Sequence, residues 1–147
     1  MKKIALALIL STMLAGSALA VTQDITVSAS VKGTCKINSG PASILLGELD
    51  PLTGTGASNT AGLEFWCTKG TAYTVSDNIV THELTHATLP AEKISYTFAI
   101  TDYTGAGTGP GAPETLTATA TVANDSFNNN AAGAYSQVVT VTIAPTP

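Results

Sequence analysis

The sequence predicts an all-β sandwich, and three observations point to it. Apolar residues recur at every second position over five separate stretches. That period of two sends successive side chains to opposite faces of a strand. The stretches are divided by connections dense in Gly, Pro, Asn and Asp: "GELDPLTGTGASN", "DYTGAGTGPGAP" and "NDSFNNNAAG". Such residues supply the backbone angles that tight turns demand. After residue 20, no segment carries apolar residues at the three-to-four spacing of an amphipathic helix. About seven short strands joined by turns fit two packed antiparallel sheets.

The elements follow in chain order. Residues 1–20 read as a signal peptide: Lys2 and Lys3 begin it, Ile4–Leu10 form an apolar core, and Ala18-Leu19-Ala20 resembles a cleavage site. The mature chain is then expected to start at Val21. The first strand is expected where Ile25, Val27, Ala29 and Val31 alternate with Thr26, Ser28 and Ser30. Ala61, Leu63, Phe65 and Cys67 mark a second strand, and Ile94, Tyr96, Phe98 and Ile100 a third. Leu116, Ala118, Ala120 and Val122 alternate with Thr115, Thr117, Thr119 and Thr121 in a fourth. A last strand over 135–143 would set Tyr135, Val139, Val141 and Ile143 on one face. Thr and Val dominate these stretches, as suits a pleated, half-buried surface.

A chain of this length supports one domain with one core. Without the signal peptide, four Lys face ten acidic residues, a net charge of −6, and there is no Arg. Scattered Lys32, Lys36, Lys69 and Lys93 form no phosphate-neutralising patch, which argues against nucleic acid and anionic membrane partners. No second long apolar run follows residue 20, so no transmembrane segment is expected. Cys35 and Cys67 are the only cysteines. In an exported chain they are expected to pair, closing a loop of about thirty residues worth about 3–4 kcal/mol on the chain-entropy model.

"THELTHA" at 81–87 contains H-E-x-x-H, the frame of zinc peptidases. On a helix His82 and His86 would share a face, with Glu83 as general base. Six residues, "HELTHA", match the thermolysin-like peptidases letter for letter. The surroundings do not support that chemistry. Pro90 would interrupt the helix four residues after His86. The region that should carry the third ligand reads "TGAGTGPGAP", and "HATLPAEK" lacks the Gly and His of the metzincin pattern. An extended segment would hold the two His about 13 Å apart at about 3.3 Å per residue. His82, Glu83 and His86 therefore remain weak metal candidates, and the segment is expected to be an exposed loop approaching the "KISYTF" strand. No enzyme activity and no cofactor are expected.

Five pieces, in order, carry a resemblance: "ITVSASVKGTCKI", "LGELDPLTG", "GLEFWCTKGTAYTV", "ISYTF" and "AAGAYSQVVTVTI". Together they span nearly the whole chain after residue 20, and the chain resembles the spore coat protein U domain family, shared with archaic chaperone–usher pilin subunits. Gln137-Val138 stands where that family commonly has Asp-Thr. The resemblance implies an incomplete immunoglobulin-like β-sandwich lacking its last strand. Residues 1–20 would be the signal peptide, 21–32 a donor-strand extension and 33–147 the pilin-like domain. Ile25, Val27, Ala29 and Val31 would be the donor-strand residues, Val139, Val141 and Ile143 would line the acceptor groove, and Cys35–Cys67 would staple the fold.

The implied partners are neighbouring pilin subunits, a periplasmic chaperone and an outer-membrane usher. The implied role is a surface fibre for adhesion or biofilm formation, exported through the periplasm. The alternative is a self-contained secreted spore-coat or matrix protein whose first strand folds back into its own sheet. A zinc metallopeptidase is the remote alternative.

Overall fold

The computed structural model of the chain describes residues 21–101 and 104–146. The signal-peptide reading of residues 1–20 lies outside them. Two compact units divide the chain, residues 1–30 and residues 31–147.

In the first unit, residues 21–30 carry no regular secondary structure, and every one is exposed. Ile25 is 84% and Val27 90% accessible. The strand expected over Ile25–Val31 is therefore absent as a paired element. Alternation alone does not make a strand, because its backbone groups need a ladder partner before they leave water.

The second unit is all-β, with antiparallel pairing throughout. Its strands are β1 (Cys35–Ile37), β2 (Ala57–Cys67), β3 (Ala72–Asp77), β4 (Glu83–His86), β5 (Lys93–Ser95), β6 (Thr97–Ile100), β7 (Thr104–Ala106), β8 (Glu114–Val122), β9 (Tyr135–Ser136) and β10 (Val141–Pro145). One sheet has the order β1-β2-β8-β6. Two smaller ones have the orders β10-β3-β7 and β5-β4-β9. The longest ladder joins β2 to β8, from Ala57↔Val122 to Phe65↔Glu114.

The inward face of β8 follows its alternation. Leu116, Ala118, Ala120 and Val122 are buried, while the Thr residues between them are partly exposed. On β2, Phe65 and Cys67 are buried, whereas Ala61 and Leu63 are half-buried. The main core cluster joins Phe65, Cys67 and Leu116 to Tyr73, Val75 and Ile100, with Val141 and Ile143 packed on it. Its residues come from the four-stranded sheet and from β3 and β10, so these layers face each other across the core. The Phe65 and Tyr73 rings meet edge to face at 5.1 Å. Cys35 and Cys67, direct partners in the β1–β2 ladder, form a disulfide.

A second cluster is built on Ile94, Val122 and Phe127, with Leu46, Leu49, Leu84, Tyr96 and Tyr135 against it. Here two expected strands are each divided. The 94–100 stretch breaks at Tyr96, so that β5 pairs with β4 and β6 pairs with β8. The 135–143 stretch breaks over 137–140. Between Asp77↔Val141 and Thr85↔Ser136, seven residues on one side face four on the other. The ladder cannot keep register across that mismatch, which behaves like an enlarged bulge.

Candidate functional site

The second cluster does not close. Between the sheets lies a cavity of about 1260 Å³. Its floor is apolar: Ala61 and Leu63 from β2, Ala118 and Ala120 from β8, and Phe98 from β6. Leu84, Ile94, Tyr96 and Phe127 extend the apolar lining. Small Ala side chains along β8 leave room above the sheet that Leu or Ile would have filled.

Residues 39–51 line the cavity on one side. They leave β1 at Ile37, and no backbone hydrogen bond ties residues 40–49 to the other described residues. A side chain supplies the one tether, Asn59 Nδ2 donating to the Leu45 carbonyl at 2.7 Å. Leu46 and Leu49 reach inward, while Leu45 is 75% exposed. Residues 133–139 and Val141 form another part of the lining. Val138 is exposed and Val139 half-buried. Beyond them, among the described residues, β10 is the terminal strand of its sheet, with β3 on one side only. The cavity is thus an apolar cleft bordered in part, over residues 40–49, by backbone that lacks ladder partners.

Polar side chains hold the broken ladders around it. Gln137 Oε1 accepts from the Glu83 amide at 3.1 Å and from the Tyr96 hydroxyl at 2.7 Å, and its Nε2 donates to the Thr81 carbonyl at 3.3 Å. One amide side chain thereby bridges the gap in the ladder at 137–139. The Asn78 amide donates to the Thr140 carbonyl, and Asn78 Oδ1 accepts from the Thr140 amide. Burial raises the Tyr96 phenol above its ordinary value, and the Asp77 carboxylate adds to the shift.

The expected site residues have separate fates. Val139 and Val141 line the cleft. Ile143 packs on the main core cluster instead. Ile25, Val27, Ala29 and Val31 are exposed. The floor formed by Leu63, Phe98, Ala118 and Ala120 was not singled out in the sequence as a site. Its signal was the alternation itself, which reads the same for a sealed core and for a groove.

The exposed-loop reading of "THELTHA" is corrected. Glu83–His86 is strand β4, paired to β5 and β9, and His86 is 7% accessible. The segment is no helix, and its two imidazoles end in different surroundings. His82 lies between the Tyr96 and Phe98 rings, with Nε2 3.7 Å from Asp77 Oδ1. His86 uses both ring nitrogens on the protein's own backbone, facing the Ala132 carbonyl and the Thr88 and Leu89 amides. Glu83 pairs with Lys93 at 2.7 Å. Among the described residues, no group of three or more His, Cys, Asp or Glu is placed to hold a metal ion.

Compared with protein-family models and with curated proteins, the chain matches none.

Proposed function

We propose that the chain is a structural subunit of a surface fibre assembled by donor-strand exchange. One observation carries the reading: an apolar cleft opens between the sheets, lined on one side by residues 40–49, which lack backbone ladder partners, and on another by Val139 and by Val141 at the start of β10. An extended peptide satisfies such a site, because its backbone pairs with the open edge and alternate side chains fill the floor. An apolar sheet edge left uncovered invites aggregation, so a resident occupant is expected.

The strand order supports an incomplete immunoglobulin-like sandwich. The order β1-β2-β8-β6 corresponds to strands A-B-E-D, and β10 beside β3 to F beside C, with no strand paired to the other edge of β10 among the described residues. The chain also carries a segment suited to be donated. Val21, Ile25, Val27 and Val31 are exposed large apolar residues in a stretch that alternates with Thr and Ser. In this reading residues 21–32 of one copy complete the sheet of another. A periplasmic chaperone covers the cleft beforehand, and an outer-membrane usher directs the exchange. The finished fibre serves adhesion or biofilm formation at the cell surface.

The competing reading is a self-contained coat or matrix protein whose first strand completes its own sheet. The test is deletion of residues 21–31 in a strain that assembles the fibre. The expected product is a chaperone-bound monomer that cannot extend. Normal fibres without those residues would refute donor-strand exchange, and a stable chaperone-free monomer of the intact chain on gel filtration would establish the self-contained protein.

A further inference from the structure

We propose that Asn59 is a positioning residue for the cleft: by holding the Leu45 carbonyl it keeps residues 40–49 as a preformed wall, set to receive residues 21–32 of a second copy. Its effect on strand binding rests on the acceptor reading above; its support of the wall rests on hydrogen-bond geometry.

Residues 40–49 are fastened at their two ends. The Asn38 and Ser39 amides donate to the Glu64 carbonyl at 2.8 and 3.4 Å, and the Glu64 amide donates to Ser39 Oγ at 3.1 Å. At the other end the Thr53 and Gly54 amides donate to the Asp50 carbonyl, and the Asp125 amide donates to the Gly54 carbonyl. Between these anchors no backbone ladder forms among the described residues. Ile44, Leu46 and Leu49 line the cleft and are half-buried. Gly47, at φ 80°, turns the chain between Leu46 and Leu49. An unpaired apolar segment above an apolar floor is driven to settle on it, and either settling or swinging away changes the room left for a strand.

Asn59 opposes both movements. It stands directly across from Ala120 in the β2–β8 ladder, so the two share the face that floors the cleft. That face of β2 otherwise reads Ala57, Ala61, Leu63, Phe65 and Cys67, and Asn59 is the polar residue in an apolar row. Both ends of its amide are committed. Oδ1 accepts from the Thr60 amide at 2.8 Å, and Nδ2 donates to the Leu45 carbonyl at 2.7 Å. A backbone amide only donates and a carbonyl only accepts, so these two partners fix the orientation of the side chain. Leu45 lies midway between the anchors at Ser39 and Asp50, and the bond divides one free span into two short ones with less freedom to lose. Asn59 is not itself part of the cleft lining and acts through the wall it holds. A wall already in place spares an entering strand the cost of ordering it.

The test uses the isotope-labelled full chain and two variants, Asn59→Asp and Asn59→Ala. The ionised Asp keeps an acceptor for the Thr60 amide but has no hydrogen to give to Leu45, so it removes the tether alone. Asn59 is exposed, and both variants should fold, with β2 and β8 order parameters as in the wild type. In both, the carbonyl carbon shift of Leu45 should move. Backbone order parameters over 42–49 should fall from near the rigid value of about 0.85 toward the flexible value of about 0.6. A synthetic peptide of residues 21–32 should bind both variants about fivefold more weakly than it binds the wild-type chain. Order parameters over 42–49 that match the wild type in both variants overturn Asn59 as the support of the wall. A loosened wall with unchanged peptide affinity overturns its control of the cleft. A peptide that fails to bind even the wild-type chain, with the wall loosening in the variants as expected, overturns the acceptor reading while upholding the support of the wall.

Discussion

Two clusters in the second unit are built partly from the same strand, β8, yet one is sealed and the other opens to a cleft. Around Phe65, Cys67 and Leu116 the ladders are continuous and a disulfide joins β1 to β2. Around Ile94, Val122 and Phe127 the strands are two to four residues long outside β8, and residues 40–49 contribute apolar side chains without backbone pairing. Buried apolar area stabilises both, but only continuous pairing closes a sheet edge against water. The difference teaches that one alternating pattern can build a sealed core and, where a partner strand is lacking, the floor of an open cleft.

The largest expected effect is at the sealed cluster. Phe65→Ala should cost about 3–5 kcal/mol, against about 1–2 for Leu84→Ala, whose side chain is half-buried at the cleft. Equal losses in urea denaturation would erase the distinction. Next comes the Cys35–Cys67 bridge. A Cys35→Ser, Cys67→Ser double variant should lose about 3–4 kcal/mol, visible as a lower urea midpoint. An unchanged midpoint would mean that the ladders alone hold the sealed end.

Gln137→Ala tests the substitute for the missing ladder. Removing it leaves the Glu83 amide and the Tyr96 hydroxyl without their acceptor, at a cost of about 1–3 kcal/mol. The loss should appear as faster exchange at Glu83, with β2 amides unaffected. The smallest effect is alkaline. Tyr96 holds its proton more tightly when folded than in the unfolded chain, whose phenol titrates near 10.0. The folded state thus binds more protons above that pH, and stability present below it declines as pH rises through the folded value. Tyr96→Phe should flatten this alkaline limb in pH-dependent melting; an identical limb in the variant would assign it to other groups.

Much of the fold was legible because burial writes itself into alternation. Phe65, Cys67, Leu116 and Val122 could be placed on inward faces from period two alone. Two features were not legible. The 94–100 stretch alternates without a break, yet its halves pair with different sheets, since periodicity says nothing about which neighbour a strand chooses. "HELTH" contains His, Glu and Thr, which disguised β4 as a loop; His86 is buried because backbone groups around it satisfy both its nitrogens.

The sequence by itself determined the all-β class, the inward faces of the long strands and an exposable apolar stretch at 25–31, all consequences of local side-chain chemistry repeated with period two. Only the tertiary structure decided that Cys35 and Cys67 sit opposite each other, that Gln137 bridges a broken ladder and that a cleft remains beside β10. Those outcomes depend on which strands pair and which edges stay open, and pairing across dozens of residues is settled by the whole chain's packing rather than by any one segment.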